Sequence, residues 1–116
     1  MNGEAPRVTP DEFFRTDIRV GRIVRAEEFP QARKPAYKLF IDFGELGEKR
    51  SSAQITARYT PAELAGRLVV AVTNFPPRQV AGFRSEVLVL GVPDDPSGDV
   101  ILLAPDTDVP PGTRVF

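Results

Sequence analysis

Apolar residues recur along the chain in short runs separated by Gly, Pro and Asp. Most runs alternate with polar residues, which is the period of strands. Ile18, Val20 and Ile23 lie among Arg19, Gly21, Arg22 and Arg25. This pattern predicts a long, curved strand over 18–29, with Gly21 as a bend or bulge. Tyr37, Leu39, Ile41 and Phe43 alternate with Lys38, Phe40 and Asp42 and predict a second strand. Phe40 breaks its alternation and is expected to face outward. Residues 44–47 read as a hairpin turn and 50–55 as a weaker third strand. The continuous apolar runs 68–73 and 87–92 read as strands covered on both faces. A last short strand is expected over 100–103. Residues 30–35, 74–82 and 93–98 read as loops, and 105–115 as a Pro-rich tail.

Two helix starts interrupt the strands. Thr9, Pro10 and Glu12 form one capping signature, followed by Phe13 and Phe14, and Thr60, Pro61 and Glu63 form another, stopped by Gly66. Neither helix is long enough to stand without tertiary or partner contacts. About five strands, a short helix between the third and fourth, and a curved first strand predict an all-β fold. The five-stranded oligonucleotide/oligosaccharide-binding (OB) barrel fits, flanked by N- and C-terminal extensions. An SH3-like barrel is the runner-up, but it offers no natural place for that helix.

Composition narrows the function more than the fold. The 116 residues suit one domain, taken as 1–116. There is no Cys and no His, so the chain has no thiol nucleophile, no imidazole base and no usual zinc ligand set. Ser51 and Ser52 have no His to activate them, and no pair of acids stands out. Asp94, Asp95 and Asp99 supply too few ligands at the required spacing for a calcium loop and read as a solvated turn. These absences predict a non-enzymatic protein with no metal and no cofactor. The N-terminus lacks a signal-peptide layout, and no apolar run approaches the roughly 20 residues of a membrane span. A cytoplasmic protein without integral membrane association is the expectation.

The net charge of −1 hides an asymmetry. Residues 15–84 carry 13 basic and 7 acidic side chains, whereas 85–116 carry one basic and six acidic. Twelve of the fifteen basic residues are Arg, the side chain that forks onto phosphates and stacks on bases. If the acidic tail folds away from the basic segment, a positive surface results. Ordinary solubilising charge is the competing reading.

Several separated stretches carry a family resemblance. Residues 17–23 (DIRVGRI), 38–44 (KLFIDFG) and 66–78 (GRLVVAVTNFPPR), followed by Gly82 and Ser85, resemble the tRNA-binding domain family. Members stand alone or are appended to aminoacyl-tRNA synthetases. The runs 51–56 (SSAQIT), 74–79 (NFPPRQ) and 83–91 (FRSEVLVLG) are similar to a subgroup of stand-alone, export-related chaperones. The sequence departs from the general pattern at 29–35 (FPQARKP), where the family has His-Pro followed by an acid and Lys. It departs again at Ser52-Ala53-Gln54, in place of Ser-Gly-Leu, and at Glu86 after Ser85.

The resemblance implies a homodimeric OB barrel that binds unfolded or export-competent polypeptides, with tRNA as a second ligand. A dedicated structured-RNA binder is the alternative. Residues 1–16 and 104–116 would be the dimerising extensions, through Phe13, Phe14, Val109 and Phe116. Candidate RNA contacts are Arg33, Lys34, Asn74, Arg78, Arg84 and Ser85. Each has a competing structural reading: a charged turn for Arg33 and Lys34, a strand-start cap for Arg84 and Ser85, and a turn-forming Asn at 74. Arg78 follows two prolines in a stiff loop. Phe40, Phe75 and Phe83 are the candidate peptide contacts, able to receive an apolar side chain or to stack on a base.

Overall fold

The structure, a computed structural model, describes residues 3–116. The first two residues of the proposed N-terminal extension therefore lie outside the described residues. Five antiparallel strands build a nearly closed barrel: β1 (Ile18–Glu28), β2 (Tyr37–Asp42), β3 (Glu48–Ala53), β4 (Leu68–Val72) and, after a short hairpin of β5 (Arg78–Val80) and β6 (Phe83–Ser85), β7 (Leu88–Val89). The sheet order is β3-β2-β1-β4-β7. A second hairpin follows, β8 (Gly91–Pro93) with β9 (Val100–Leu102). This is the OB architecture, with the helix α2 (Pro61–Leu64) between the third and fourth barrel strands.

Alternation places Tyr37, Leu39 and Ile41 of β2 inward, where they meet Ile23, Phe43, Ala53, Ile55, Leu64, Val69 and Ala71 in the main core. Both short helices are held by complete capping boxes: Thr9 with Glu12 for α1 (Pro10–Phe14), and Thr60 with Glu63 for α2. With so little helix to propagate, these caps and the burial of Leu64 secure α2 against β1. Burial raises the Tyr37 phenol above its ordinary value, and its hydroxyl donates to the carbonyl of Tyr59 at 2.7 Å.

β1 is long enough to serve two partners, β4 along 18–22 and β2 along 22–28. The bulge that lets it curve lies between Ile23 and Arg25, not at Gly21. Val24 is the extra residue and is exposed. Gly21 instead permits a close approach between strands. A Cβ there would stand 2.6 Å from Ile41 Cγ2 and 2.7 Å from Phe43 Cε1. The position has room only for hydrogen.

Two further expectations are corrected. The loop over 74–82 contains β5, which turns into β6 through Ala81 and Gly82, both at positive φ. Ala-Gly is a weak signal for this turn, since its first central position ordinarily takes Asn, Asp or Gly. The apolar run 87–92 is not one buried strand. It breaks at Leu90, whose N–H donates to Val70 while its carbonyl accepts from Leu103. Beyond the break the chain leaves β4 for β9, and Leu88 and Val92 are exposed. The Pro-rich tail runs beside β1 of its own chain. Val20 N–H donates to Thr113, Gly112 N–H to Val20 and Val115 N–H to Ile18. The tail thereby continues the place beside β1 that β2 leaves empty. Among the described residues no helix is long and apolar enough to cross a membrane.

Candidate ligand-binding site

Outward positions of β1, β2 and β3 meet in one cross-strand row, Arg25–Phe40–Arg50, flanked by the row Glu27–Lys38–Ser52. The β5–β6 hairpin folds over this face. Phe83 packs edge-on against Phe29 and Phe40, with ring centroids 5.5 and 6.0 Å apart. The Arg25 guanidinium lies 3.7 Å from the centre of the Phe40 ring. Lys38 stands 4.9 Å from the Phe29 ring, and Arg50 5.5 Å from the Phe83 ring. Cations over ring faces are attracted by the ring quadrupole. The result is an aromatic floor edged by three positive charges.

Phe40 does face away from the barrel core, as its position in the alternation requires. It is nonetheless only 8% exposed, and Phe83 only 7%. The two rings cover each other, so neither lines an open apolar groove as expected. Phe75, at 48% exposure, is the candidate ring that does.

That groove, of about 460 Å³, lies between the end of β3 and the stretch around β7. Ala53, Ile55, Val87, Val89 and Val100 form its apolar wall, and Phe75, Pro76 and β5 with Arg78 form its rim. Arg78 has no carboxylate within ion-pair reach among the described residues. A smaller cleft lined by Arg33 and Lys34 shares Ser52, Gln54 and Val80 with the groove. Arg33 and Lys34 are thus brought to one end of a continuous surface and Arg78 to the other. Arg84 is exposed on β6.

The two remaining RNA candidates are engaged in the fold. Asn74 Oδ1 accepts from Asp17 N–H and its Nδ2 donates to the Arg15 carbonyl, both at 2.8 Å. Its amide clamps the N-terminal extension, a distant partner rather than its own turn. Ser85 Oγ accepts from Ser52 N–H at 3.0 Å. Asp17 is itself a node. It pairs with Arg19 at 2.7 Å and Arg114 at 3.4 Å, and the hydrogen bond from Arg19 holds its carboxyl below the ordinary value. Arg114 also donates to the Phe14 carbonyl at 2.7 Å. Phe13, Phe14 and Phe116 are exposed and Val109 is half-buried.

Arg25, Lys38 and Arg50 were not singled out from sequence, although a signal existed. Once Phe40 is read as outward, its strand neighbours at even positions and their cross-strand partners follow. The groove's aliphatic lining carried no such signal, because Ile55, Val87 and Val89 are indistinguishable from core residues. Among the described residues no group of three or more acidic or other metal-ligating side chains converges.

Residues 18–114 match the family described as "Putative tRNA binding domain". The chain is 41% identical to methionine–tRNA ligase 1 of Sorangium cellulosum over 96% of its own length, and 37% identical to methionine–tRNA ligase of Archaeoglobus fulgidus over 93%. In each case it spans about 16% of the ligase. Two solved structures match over nearly the whole of both chains. The chaperone CsaA of Bacillus anthracis is 53% identical with a TM-score of 0.88, covering 96% of this chain and 100% of its own. The CsaA chaperone of Picrophilus torridus is 48% identical with a TM-score of 0.87, covering 95% and 100%. An OB barrel with this sequence pattern defines the class: the chain belongs to the tRNA-binding domain family. Within that family its likeness is to the CsaA type. What it shares with the ligases is the binding domain and not a catalytic core.

Proposed function

We propose that the protein is a CsaA-like chaperone that holds unfolded or export-competent polypeptides in the groove beside Phe75. The observation that carries this reading is the groove itself: the half-exposed Phe75 ring beside half-buried Val89 and Val100, over a buried floor of Ala53, Ile55 and Val87. Apolar burial contributes roughly 25 cal/mol per Å² before ordering costs. We place the activity in the cytoplasm, before export, on the strength of the likeness to CsaA. We further propose a homodimer joined through residues 1–16 and 104–116, with Phe13, Phe14, Val109 and Phe116 in the interface. Exposed rings on both extensions support it. Sedimentation at micromolar protein is expected to give the dimer mass, and a monomer mass would remove this part of the reading.

The second reading is tRNA binding. It is favoured by Arg25, Lys38 and Arg50 on the outer face, with Arg33, Lys34, Arg78 and Arg84 around the hairpin. The two ligands differ in salt dependence. Each phosphate contact adds about 0.9 to the logarithmic salt slope. With about four contacts, raising salt from about 0.15 M to about 0.5 M weakens tRNA binding roughly 70-fold. A polypeptide held by apolar burial keeps its affinity. Labelled tRNA and a labelled apolar peptide, titrated at both salt concentrations, separate the two. Salt-resistant tRNA binding with no peptide signal would reverse the order.

A further inference from the structure

The groove occupies a gap in the barrel's hydrogen-bond ladder, and that gap says how a polypeptide can sit in it. In β3 the even-numbered residues turn their backbone groups away from β2, because the bonded pairs of that hairpin are the odd ones, continuing to Phe43 N–H on Gly47. At Arg50 these groups reach the far side of the barrel: its carbonyl accepts from Glu86 N–H at 2.7 Å and Val87 N–H at 3.3 Å. From there side chains replace strand. Arg50 N–H donates to Glu86 Oε1 at 3.0 Å and Ser52 N–H to Ser85 Oγ at 3.0 Å. The Ser52 carbonyl accepts only the Ser51 hydroxyl, at 3.3 Å. Gln54, just past the end of β3 where Ile55 N–H turns back onto the Ala53 carbonyl at 3.0 Å, has no hydrogen-bond partner among the described residues.

The opposite wall matches. Leu90 N–H donates to Val70, so residues 88 and 90 turn their backbone groups to β4, and 87 and 89 turn theirs away, Val87 N–H onto the Arg50 carbonyl and Val89 into the groove. Val89 makes no bond to β3. Gln54 on one wall and Val89 on the other therefore keep backbone donors and acceptors unused, beside a Ser52 N–H that is met by the Ser85 side chain and not by a strand. Unpaired edges of this kind are what an added strand satisfies.

We infer that the groove takes its polypeptide as an added β-strand paired on the Ser52–Gln54 side alone, an extended segment with an apolar residue at every second position and acidic residues flanking it. The alternation follows from a single apolar wall, Ala53, Ile55, Val87, Val89 and Val100. The acidic flanks follow from charge: Arg78 without an acidic partner at the rim, and Arg33 and Lys34 in the adjoining cleft. Backbone pairing gives affinity for many sequences, as a chaperone requires, while the wall and the rim select among them. The inference rests on the chaperone reading and adds to it the mode of binding.

The test leaves the protein unaltered and changes the ligand backbone. The probe is a short peptide alternating Val with Ser and bearing Glu at both ends, followed by fluorescence anisotropy. Two series carry N-methyl groups on the Val amides or on the Ser amides. In a strand these two sets of amides point to opposite edges. One series is expected to lose about tenfold or more in affinity per methyl, and the other to stay within about twofold of the parent. Equal retention or equal loss in the two series overturns strand addition and leaves the chaperone reading standing. Failure of the parent peptide to bind overturns both.

Discussion

Two apolar surfaces flank the β5–β6 hairpin, and they have opposite fates. On the outer face of β1–β3, Phe29, Phe40 and Phe83 close over one another and are edged by Arg25, Lys38 and Arg50. At the ladder gap, Phe75 stays half-exposed beside half-buried Val89 and Val100, and Arg78 at the rim has no carboxylate in ion-pair reach among the described residues. The same hairpin makes both: β6 supplies the ring that seals the first, and β5 supplies Arg78 and Val80 to the second. Apolar content does not distinguish a lid from a binding surface. What distinguishes them is whether the fold provides a second layer.

The largest expected effect comes from removing the lid. Phe83→Ala deletes a ring packed on two others and should cost about 3 kcal/mol, read from urea denaturation. It should also uncover Phe29 and Phe40 and turn the closed surface into a second open one, seen as increased binding of an apolar dye. A loss below about 1 kcal/mol would mean that the hairpin is not seated on this face.

Asn74→Ala tests how the open surface is positioned. It removes both bonds that tie the residue before Phe75 to Asp17 and Arg15. A loss of about 1 kcal/mol is expected, with faster amide exchange in residues 10–17. Unchanged exchange there would show that the clamp does not order the extension.

A smaller effect appears as pH dependence. The folded-state pKa of Asp17 is lowered from 3.8, so the folded protein binds fewer protons at this group than the unfolded chain. Its contribution is fully present above pH 3.8 and is lost as pH falls through the lower folded value. Asp17→Asn should therefore narrow the stability gap to wild type across that acidic window. Parallel stability curves for the two proteins would refute the linkage.

The smallest effects on stability belong to the open surface. Phe75→Ala and Arg78→Ala should each change it by less than about 0.5 kcal/mol, because both side chains face solvent. Their effect should appear in binding. Phe75→Ala is expected to weaken an apolar peptide about tenfold at any salt. Arg78→Ala should weaken tRNA and acid-flanked peptides, and less so as salt rises. Peptide affinity unchanged by Phe75→Ala would move the binding surface elsewhere.

Much of this was legible in the order of residues. The period of two determined β1 and β2, because alternation at a half-buried surface is a local property, and a continuous apolar run marked β4. The two Thr-Pro-x-Glu caps determined both helix starts, because capping involves only four neighbouring residues. The outward direction of Phe40 followed from parity alone. Tertiary structure decided the rest, and in each case the decisive partner was remote in sequence. Gly21 is glycine because Ile41 and Phe43 crowd it from β2 and the turn that follows. Asn74 and Ser85, polar residues suited to a ligand, are used up by Asp17, Arg15 and Ser52. Phe40 and Phe83 cover each other, and Phe75 meets no such neighbour. The run 87–92 changes partners midway, which hydrophobicity does not record. The ladder gap is the furthest from the sequence, since an unpaired edge is defined by a strand that does not arrive. A residue's type states which interactions it can make, and long-range packing determines which of them remain free for a ligand.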